Sequence, residues 1–213
     1  MKFIAIGVFV LLVIASVECK AQKFEFGVVG GRGIASGLTS KLSNATADTG
    51  IATGAALGVA LTDNMYSHVS GELGYLFRKG NFRLSSGGEE TTLSGQSHIL
   101  HYDLLIHPLS NKFKLRPFVA VGSGVRFFQA TGTPLRVQPL RQFVRLAKDT
   151  DLQLLISWGA GIKWDFLSHA SLRMEVHDYM TQPPKSVLVP ATGASIDGWM
   201  HDIVPLFGLS YTF

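Results

Sequence analysis

The sequence predicts an all-β protein, an eight-stranded antiparallel up-and-down transmembrane β-barrel. Three observations lead there. Charged residues make up only 16% of the 213-residue chain, where ordinary soluble domains carry roughly 25%. Apolar and polar residues alternate through short segments bounded by turn residues, which is the period-2 signal of strands. The links between those segments alternate short and long. A soluble domain needs a charged shell around its core. A barrel facing lipid needs little charge outside and many small residues inside, and the chain has 23 glycines.

The N-terminus reads as an address. Lys2 precedes an apolar run from Phe3 to Val17, followed by Glu18, Cys19, Lys20 and Ala21. This pattern predicts a cleavable secretory signal peptide over residues 1–21, cut after Ala21 with Cys19 as the small residue two positions earlier. The run falls short of the roughly 20 apolar residues a membrane-spanning helix needs. An uncleaved anchor is one alternative, and lipidation of Cys19 is another. The lipidation signal wants Gly, Ala or Ser where Glu18 stands. Cys19 is the chain's one cysteine. Its removal leaves a mature protein without a thiol and excludes disulfides, thiolate metal sites and cysteine nucleophiles. Residues 22–213 are then the barrel domain.

Eight segments follow, at 22–35, 51–62, 66–78, 95–108, 115–129, 153–166, 170–181 and 202–213. Each reaches the about 9–11 residues a tilted strand needs to cross the hydrocarbon. The first puts Glu25 on its polar face. Its glycines Gly30, Gly31 and Gly33 read as barrel wall, because no helix follows to make a phosphate-binding loop. The second lines Gly54, Ala56, Gly58 and Ala60 along one face, leaving space opposite long Arg or Lys side chains. The third, fourth and fifth carry Glu72, then His101 and Asp103, then Arg126. In the sixth, Leu154, Ile156, Trp158, Ala160, Ile162, Trp164 and Phe166 share one face, with Trp158 and Trp164 placed as an aromatic girdle. In the seventh, Leu172, Met174 and Val176 alternate with Arg173, Glu175 and His177. The eighth ends with Phe207, Leu209, Tyr211 and Phe213 on one face.

The links at Thr62–Met65, Ser110–Lys114 and Leu167–His169 are short, and those at 36–50, 79–94, 130–152 and 182–201 are long. Short periplasmic turns and long outer loops are the habit of outer-membrane barrels. The long loops are rich in Ser, Thr, Gly, Asn and Pro and are expected to be exposed. The barrel must close, because open sheet edges cannot be satisfied in lipid. With eight strands its inside is just filled by side chains, so no wide aqueous pore is expected.

The last segment, LFGLSYTF from Leu206 to Phe213, resembles the C-terminal insertion signal of outer-membrane barrels, carried by Phe207, Leu209, Tyr211 and Phe213. Two further stretches, RPFVAVGSGVRF (Arg116–Phe127) and GAGIKWDFLSHASLRMEVHDY (Gly159–Tyr179), resemble strands five to seven of the OmpA-like eight-stranded barrel domain. The resemblance covers essentially all of the mature chain. It implies the bacterial outer membrane, a structural or surface-interaction role, and delivery by the outer-membrane insertion machinery through the C-terminal strand. Nothing resembling a periplasmic peptidoglycan-binding domain follows, so cell-wall anchoring is not implied.

If apolar faces point to lipid, Glu25, Glu72, His101, Asp103, Arg126, Lys163, Asp165, Arg173 and Glu175 point inward. Buried charges survive only when paired and hydrogen-bonded. They read as an internal ion-pair network that plugs the lumen and sets register. A gated ion path or small-molecule site through the same residues is the functional alternative.

Two groups of residues invite a chemical reading. His169, Ser171 and Glu175 suggest a hydrolase trio. However, six residues of strand separate His169 from Glu175, roughly 20 Å, beyond hydrogen-bond reach. His98, His101 and His107 do not make a metal site: His101 and His107 share a face at a distance, and His98 points the other way. No catalytic residue, metal site or cofactor is expected. Nucleic-acid binding lacks a Lys/Arg-rich run, zinc spacing or an aromatic RNA-binding signature.

Segment 130–152 is the most unusual. Arg136, Arg141, Arg145 and Lys148 are interleaved with Leu140, Phe143, Val144 and Leu146, and Arg141, Arg145 and Lys148 have helical spacing. A basic amphipathic piece lying on the outer leaflet and touching lipopolysaccharide phosphates or another polyanion is expected, with a solvated loop as the alternative. The whole chain then reads as a non-catalytic outer-membrane barrel in contact with outer-membrane lipid. A narrow porin-like channel, a secreted lipid-binding barrel and a lipid A-modifying enzyme are its rivals.

Overall fold

The computed structural model describes residues 24–42 and 45–213. The expected signal peptide, its cleavage after Ala21 and Cys19 lie outside the described residues. The strands are β1 (Phe24–Ala35), β2 (Leu38–Leu42), β3 (Ala45–Ile51), β4 (Gly54–Asp63), β5 (Val69–Lys79), β6 (Phe82–Ser86), β7 (Glu89–Leu93) and β8 (Gly95–Ile106). They continue with β9 (Leu115–Ala130), β10 (Val144–Leu146), β11 (Thr150–Asp165), β12 (Ala170–Thr181), β13 (Leu188–Pro190), β14 (Ala194–Ile196) and β15 (Met200–Thr212). Eight of them, β1, β4, β5, β8, β9, β11, β12 and β15, form a closed antiparallel barrel in which β15 returns to pair with β1. The segments read from alternation match these eight strands to within a few residues.

Closure follows from the register. Glu25 opposes Thr212 and Ala35 opposes Asp202 at the two ends of the β1–β15 seam. The Phe213 amide donates to the Phe24 carbonyl at 2.9 Å, extending the seam to the C-terminus. No sheet edge is left to lipid, as a bilayer requires. Two strands approach closely at Gly31, where a methyl group would meet the Pro205 carbonyl carbon at 3.0 Å. Glycine is the residue that fits there.

Side-chain alternation places a polar, charged set inside and an apolar set outside. Val28, Leu57, Leu73, Val121, Met174 and Phe207 lie exposed on the outer wall. Along β11 the exposed apolar face runs from Trp164 to Leu154 and Leu152. Ten residues at about 3.3 Å each, tilted by about 40°, span about 25 Å of height, the thickness of the apolar band on such barrels. Two aromatic pairs, Trp164 with Phe166 and Tyr211 with Phe213, stand at its short-turn end. Trp158 does not mark the opposite edge, as its spacing from Trp164 suggested. It sits within the band, with Ile156, Leu154 and Leu152 exposed beyond it, because six residues of tilted strand cover only about 15 Å of a band about 25 Å tall.

The long loops are not simply exposed connections. β14, β2, β3, β6 and β7 form a five-stranded sheet in that order, and β10 pairs with β13. Together they build a cap over the long-loop end of the barrel. The cap has its own core, including Phe82, Leu84, Val144, Leu146, Leu188 and Ile196, and it continues onto Phe128 at the end of β9. The loops carry short alternating apolar pairs, Phe82/Leu84 and Val144/Leu146, which need a partner loop to become buried. Exposed loop composition therefore concealed a second layer of structure.

Candidate functional site: a filled lumen under a folded cap

The lumen is filled in layers. At the short-turn mouth Lys163, from β11, is ion-paired with Glu25 of β1 and lies 3.8 Å from Asp165. Arg116 of β9 reaches Asp165 at 3.3 Å. Deeper in, Arg173 of β12 bridges two acids. Its Nη2 donates to Glu72 Oε1 at 2.8 Å, and its Nε donates to Glu175 Oε2 at 2.7 Å. The Thr62 hydroxyl adds a third bond, donating to Glu72 at 2.7 Å. The Phe118 ring lies 4.8 Å from the Arg173 guanidinium, a cation–π contact that supports the buried charge.

The chain of contacts continues through two histidines. His177 Nε2 sits 3.2 Å from Glu175, and its Nδ1 lies 3.6 Å from Asp103. His101 Nδ1 lies 3.0 Å from the same Asp103 oxygen. Ser157 donates to Asp103 at 3.2 Å, and the Tyr179 hydroxyl lies 3.3 Å from His101 Nε2. Beyond this group comes an apolar layer of Leu76, Ile99, Leu155, Val204 and Leu206. Beyond that layer, toward the cap, Arg78 and Arg126 share Asp202, at 2.6 Å and 2.7 Å. Arg126 also donates to Ser97 at 3.1 Å and stacks over Phe128 at 4.7 Å. Arg78 fits because Gly33 has no side chain. A methyl there would meet the guanidinium carbon at 2.8 Å.

The short-turn mouth opens into a hollow of about 570 Å³ lined by Arg116, Lys163, Asp165 and Ser171, and little space is found deeper in. Two hollows inside the wall, one beside Ser210 and one beside His107, have volumes of about 10 Å³ each. That is at the threshold for a single water. His107 stands one residue past the end of β8, in the turn region. Burial, with the cations Arg116, Lys163 and Arg173 nearby, pushes its imidazole down to about 4, so it stays neutral at ordinary pH.

Of the charges expected inside, Glu25, Glu72, His101, Asp103, Arg126, Lys163, Arg173 and Glu175 are buried in the lumen. Asp165 is half-buried at the mouth. Sequence reasoning left out Arg78, Asp202 and Arg116, and read His177 on the inward face without counting it among the charges. Each lies on the same strand parity as an inward residue, Arg78 with Glu72 and Arg116 with Arg126, so the signal was present at the segment ends. Asp178 and His201 also escaped notice. They pair at 2.7 Å on the outward parity of β12 and β15, near the cap.

The three hydrolase-like residues are held apart by other partners. His169 Nδ1 lies 3.0 Å from the Thr212 carbonyl, Ser171 donates to Asp165 at 2.7 Å, and Glu175 is engaged by Arg173. His98 faces outward, 2.8 Å from the Tyr75 hydroxyl. Phe207, Leu209, Tyr211 and Phe213 line the exposed outer face of the last strand.

The basic loop differs from its helical expectation. Between Thr131 and Thr150 there is no helix: a turn closes from the Phe143 amide to the Leu140 carbonyl at 2.9 Å and leads into β10. Leu140 has a φ of 61°, a left-handed conformation uncommon for a branched residue. Pro134 and Pro139 break any helix. Leu140, Phe143, Val144 and Leu146 belong to the cap core and present no apolar face to a membrane. Arg136, Arg141, Arg145 and Lys148 are exposed. They gather around one surface hollow of about 460 Å³.

The fold has known counterparts. The chain is similar to the outer membrane protein OprG from Pseudomonas aeruginosa, with a TM-score of 0.59 and 15% identity, over 90% of this chain and 97% of that one. It is similar to Neisserial surface protein A, with a TM-score of 0.57 and 6% identity, over 89% and 97% of the two chains. A major outer membrane protein from Thermus thermophilus matches with a TM-score of 0.52 and 16% identity, over 89% and 99%. No protein-family model and no curated protein sequence matches the chain. The fold is that of the small eight-stranded barrels of bacterial outer membranes. Its continuous apolar wall is that of a membrane-spanning barrel.

Proposed function

We propose that this protein is a sealed, non-catalytic outer-membrane barrel whose contacts with its surroundings are made by its cap, with the long loops outward and the short turns toward the periplasm. The observation that carries this reading is the filled lumen. Ion pairs occupy it from Lys163–Glu25 to Arg78–Asp202–Arg126, and the apolar cluster of Leu76, Ile99, Leu155 and Val204 packs the lumen beside them. An ion passing through would have to displace charges that are already paired and shed hydration beside that apolar cluster. This opposes the porin-like alternative. A secreted lipid-binding barrel would need the reverse polarity, apolar within and polar outside.

Outer-membrane lipid surrounds the wall, and the C-terminal strand with Phe207, Leu209, Tyr211 and Phe213 serves as the handle for the insertion machinery. No cofactor enters this reading. The test is planar-bilayer recording of the purified, heat-modifiable protein. A sealed lumen predicts no steady conductance steps. Reproducible steps in the wild-type protein would overturn the reading in favour of a channel.

A further inference from the structure

We infer that the hollow beneath Arg136, Arg141, Arg145 and Lys148 is a binding site for a phosphorylated lipid headgroup of the outer leaflet. This rests on the orientation proposed above and names what the cap contacts.

The hollow is lined by those four cations together with Pro134, Leu135, Gln138, Leu146 and Ala147, and by no carboxylate. Among the described residues none of the four cations takes part in an ion pair. The neighbouring acids are turned to other donors. Asp149 accepts the Thr150 amide at 2.8 Å. Asp151 accepts the Ser186 amide at 2.8 Å and the Gln153 side chain at 2.6 Å. Four like charges held round one concavity repel one another, and an anion relieves that repulsion.

The walls are preorganised. Gln138 is buried and clamped at both ends of its amide: its Nε2 donates to the Leu146 carbonyl and its Oε1 accepts the Leu146 amide, each at 2.8 Å. β10 is zipped to β13 through Arg145↔Val189, and Leu140, Phe143, Val144 and Leu146 are rooted in the cap core. The cations therefore stand on a fixed backbone frame, and binding costs side-chain order but little backbone order.

Chemistry and position select the ligand. Guanidinium forks match phosphate oxygens in bidentate fashion. The hollow of about 460 Å³ has room for a sugar phosphate as well as a bare ion. The rim lies two to three residues past Thr150, which ends the β9–β11 ladder opposite Gln129. Lys148 at the rim is four residues above Leu152, the last exposed apolar residue of β11, so about 10 Å above the apolar band at a tilt of about 40°. That is where the headgroups of the outer leaflet lie. Leu135 and Val137, 58% and 75% exposed, flank Arg136. Apolar side chains beside cations suit an interface between acyl chains and phosphates.

The test uses full-length mature protein in detergent micelles. Binding of bis-phosphorylated lipid A, of the same lipid with its phosphates removed, and of a soluble sulfated oligosaccharide is compared by native mass spectrometry. The wild type is set against an Arg136→Gln/Arg141→Gln/Arg145→Gln/Lys148→Gln variant. Heat-modifiability on gels confirms that the variant is folded. A two-cation variant, Arg141→Gln/Arg145→Gln, serves if the fourfold change does not fold. Bis-phosphorylated lipid A should bind the wild type at least tenfold more tightly than the dephosphorylated lipid, about 1.4 kcal/mol, and the variant should lose that preference. Equal binding by variant and wild type overturns the site. Tighter binding of the soluble oligosaccharide than of lipid A overturns the lipid assignment. Conductance by the wild type would instead defeat the sealed-barrel reading and leave the headgroup site standing.

Discussion

Replacing Arg173 by Met tests whether the lumen is dry. Arg173 neutralises two buried acids through its bonds to Glu72 and Glu175. Methionine keeps much of the length and none of the charge. The acids retain partial support, Glu72 from Thr62 and Glu175 from His177. Removing one partner of a buried ion pair costs about 3–5 kcal/mol, because the remaining charge stays desolvated. The bonded geometry here places the expectation at the same level, with charge-assisted hydrogen bonds each contributing about 1.5–3 kcal/mol. The assay is reversible urea unfolding in phospholipid vesicles, followed by tryptophan fluorescence and by the gel-mobility shift. A triple variant, Arg173→Met/Glu72→Gln/Glu175→Gln, removes the whole charged group and should recover most of the loss, since neutral groups of similar volume replace buried ions at little net cost. A loss below about 1 kcal/mol in the single variant, the range of exposed pairs, would refute the reasoning. The carboxylates would then be hydrated and the lumen open to water.

Other outcomes follow from single sites. Gly33→Ala drives a methyl into the Arg78 guanidinium. It should lower stability by about 1–3 kcal/mol, as overpacking does, measured as a lower urea midpoint. Phe82→Ala, in the cap core, should leave the heat-modifiable barrel intact and make trypsin cut the cap at Arg83, Arg141 and Arg145 much faster. Equal cleavage of variant and wild type would mean that the cap does not fold on that core. His107 is neutral in the folded protein, with its pKa lowered to about 4 from an unfolded value of 6.5. The unfolded chain therefore takes up the proton first: this contribution to stability is full above pH 6.5 and is lost as pH falls from 6.5 toward 4. His107→Gln should flatten the dependence of the urea midpoint between about pH 7.5 and about pH 5 relative to wild type. Parallel curves would count against it.

What was legible in the sequence is what depends on a local period. A strand turns successive side chains to opposite faces, so alternation alone assigned Leu154 and Trp164 to lipid, and Lys163 and Arg173 to the lumen, and the links between segments counted the strands. The partners of those inward charges were not legible. Arg173 meets Glu72 across 101 positions of chain, and Arg126 meets Asp202 across 76. Such pairs exist only once eight strands close at one particular shear. Closure also decided that Gly33 makes room for Arg78 and that Trp158 lies within the band. The cap was the least visible. Its strands have three to seven residues, too short to show a period, and Phe82, Val144 and Ile196 are each apolar residues in a polar loop. They become a core only because the barrel brings the ends of those loops together above its rim. The same convergence gathers Arg136, Arg141, Arg145 and Lys148. Their helical spacing suggested a surface helix, but Pro139 and the burial of Leu140 and Phe143 fold the segment into a turn and strand, leaving the four charges around a hollow.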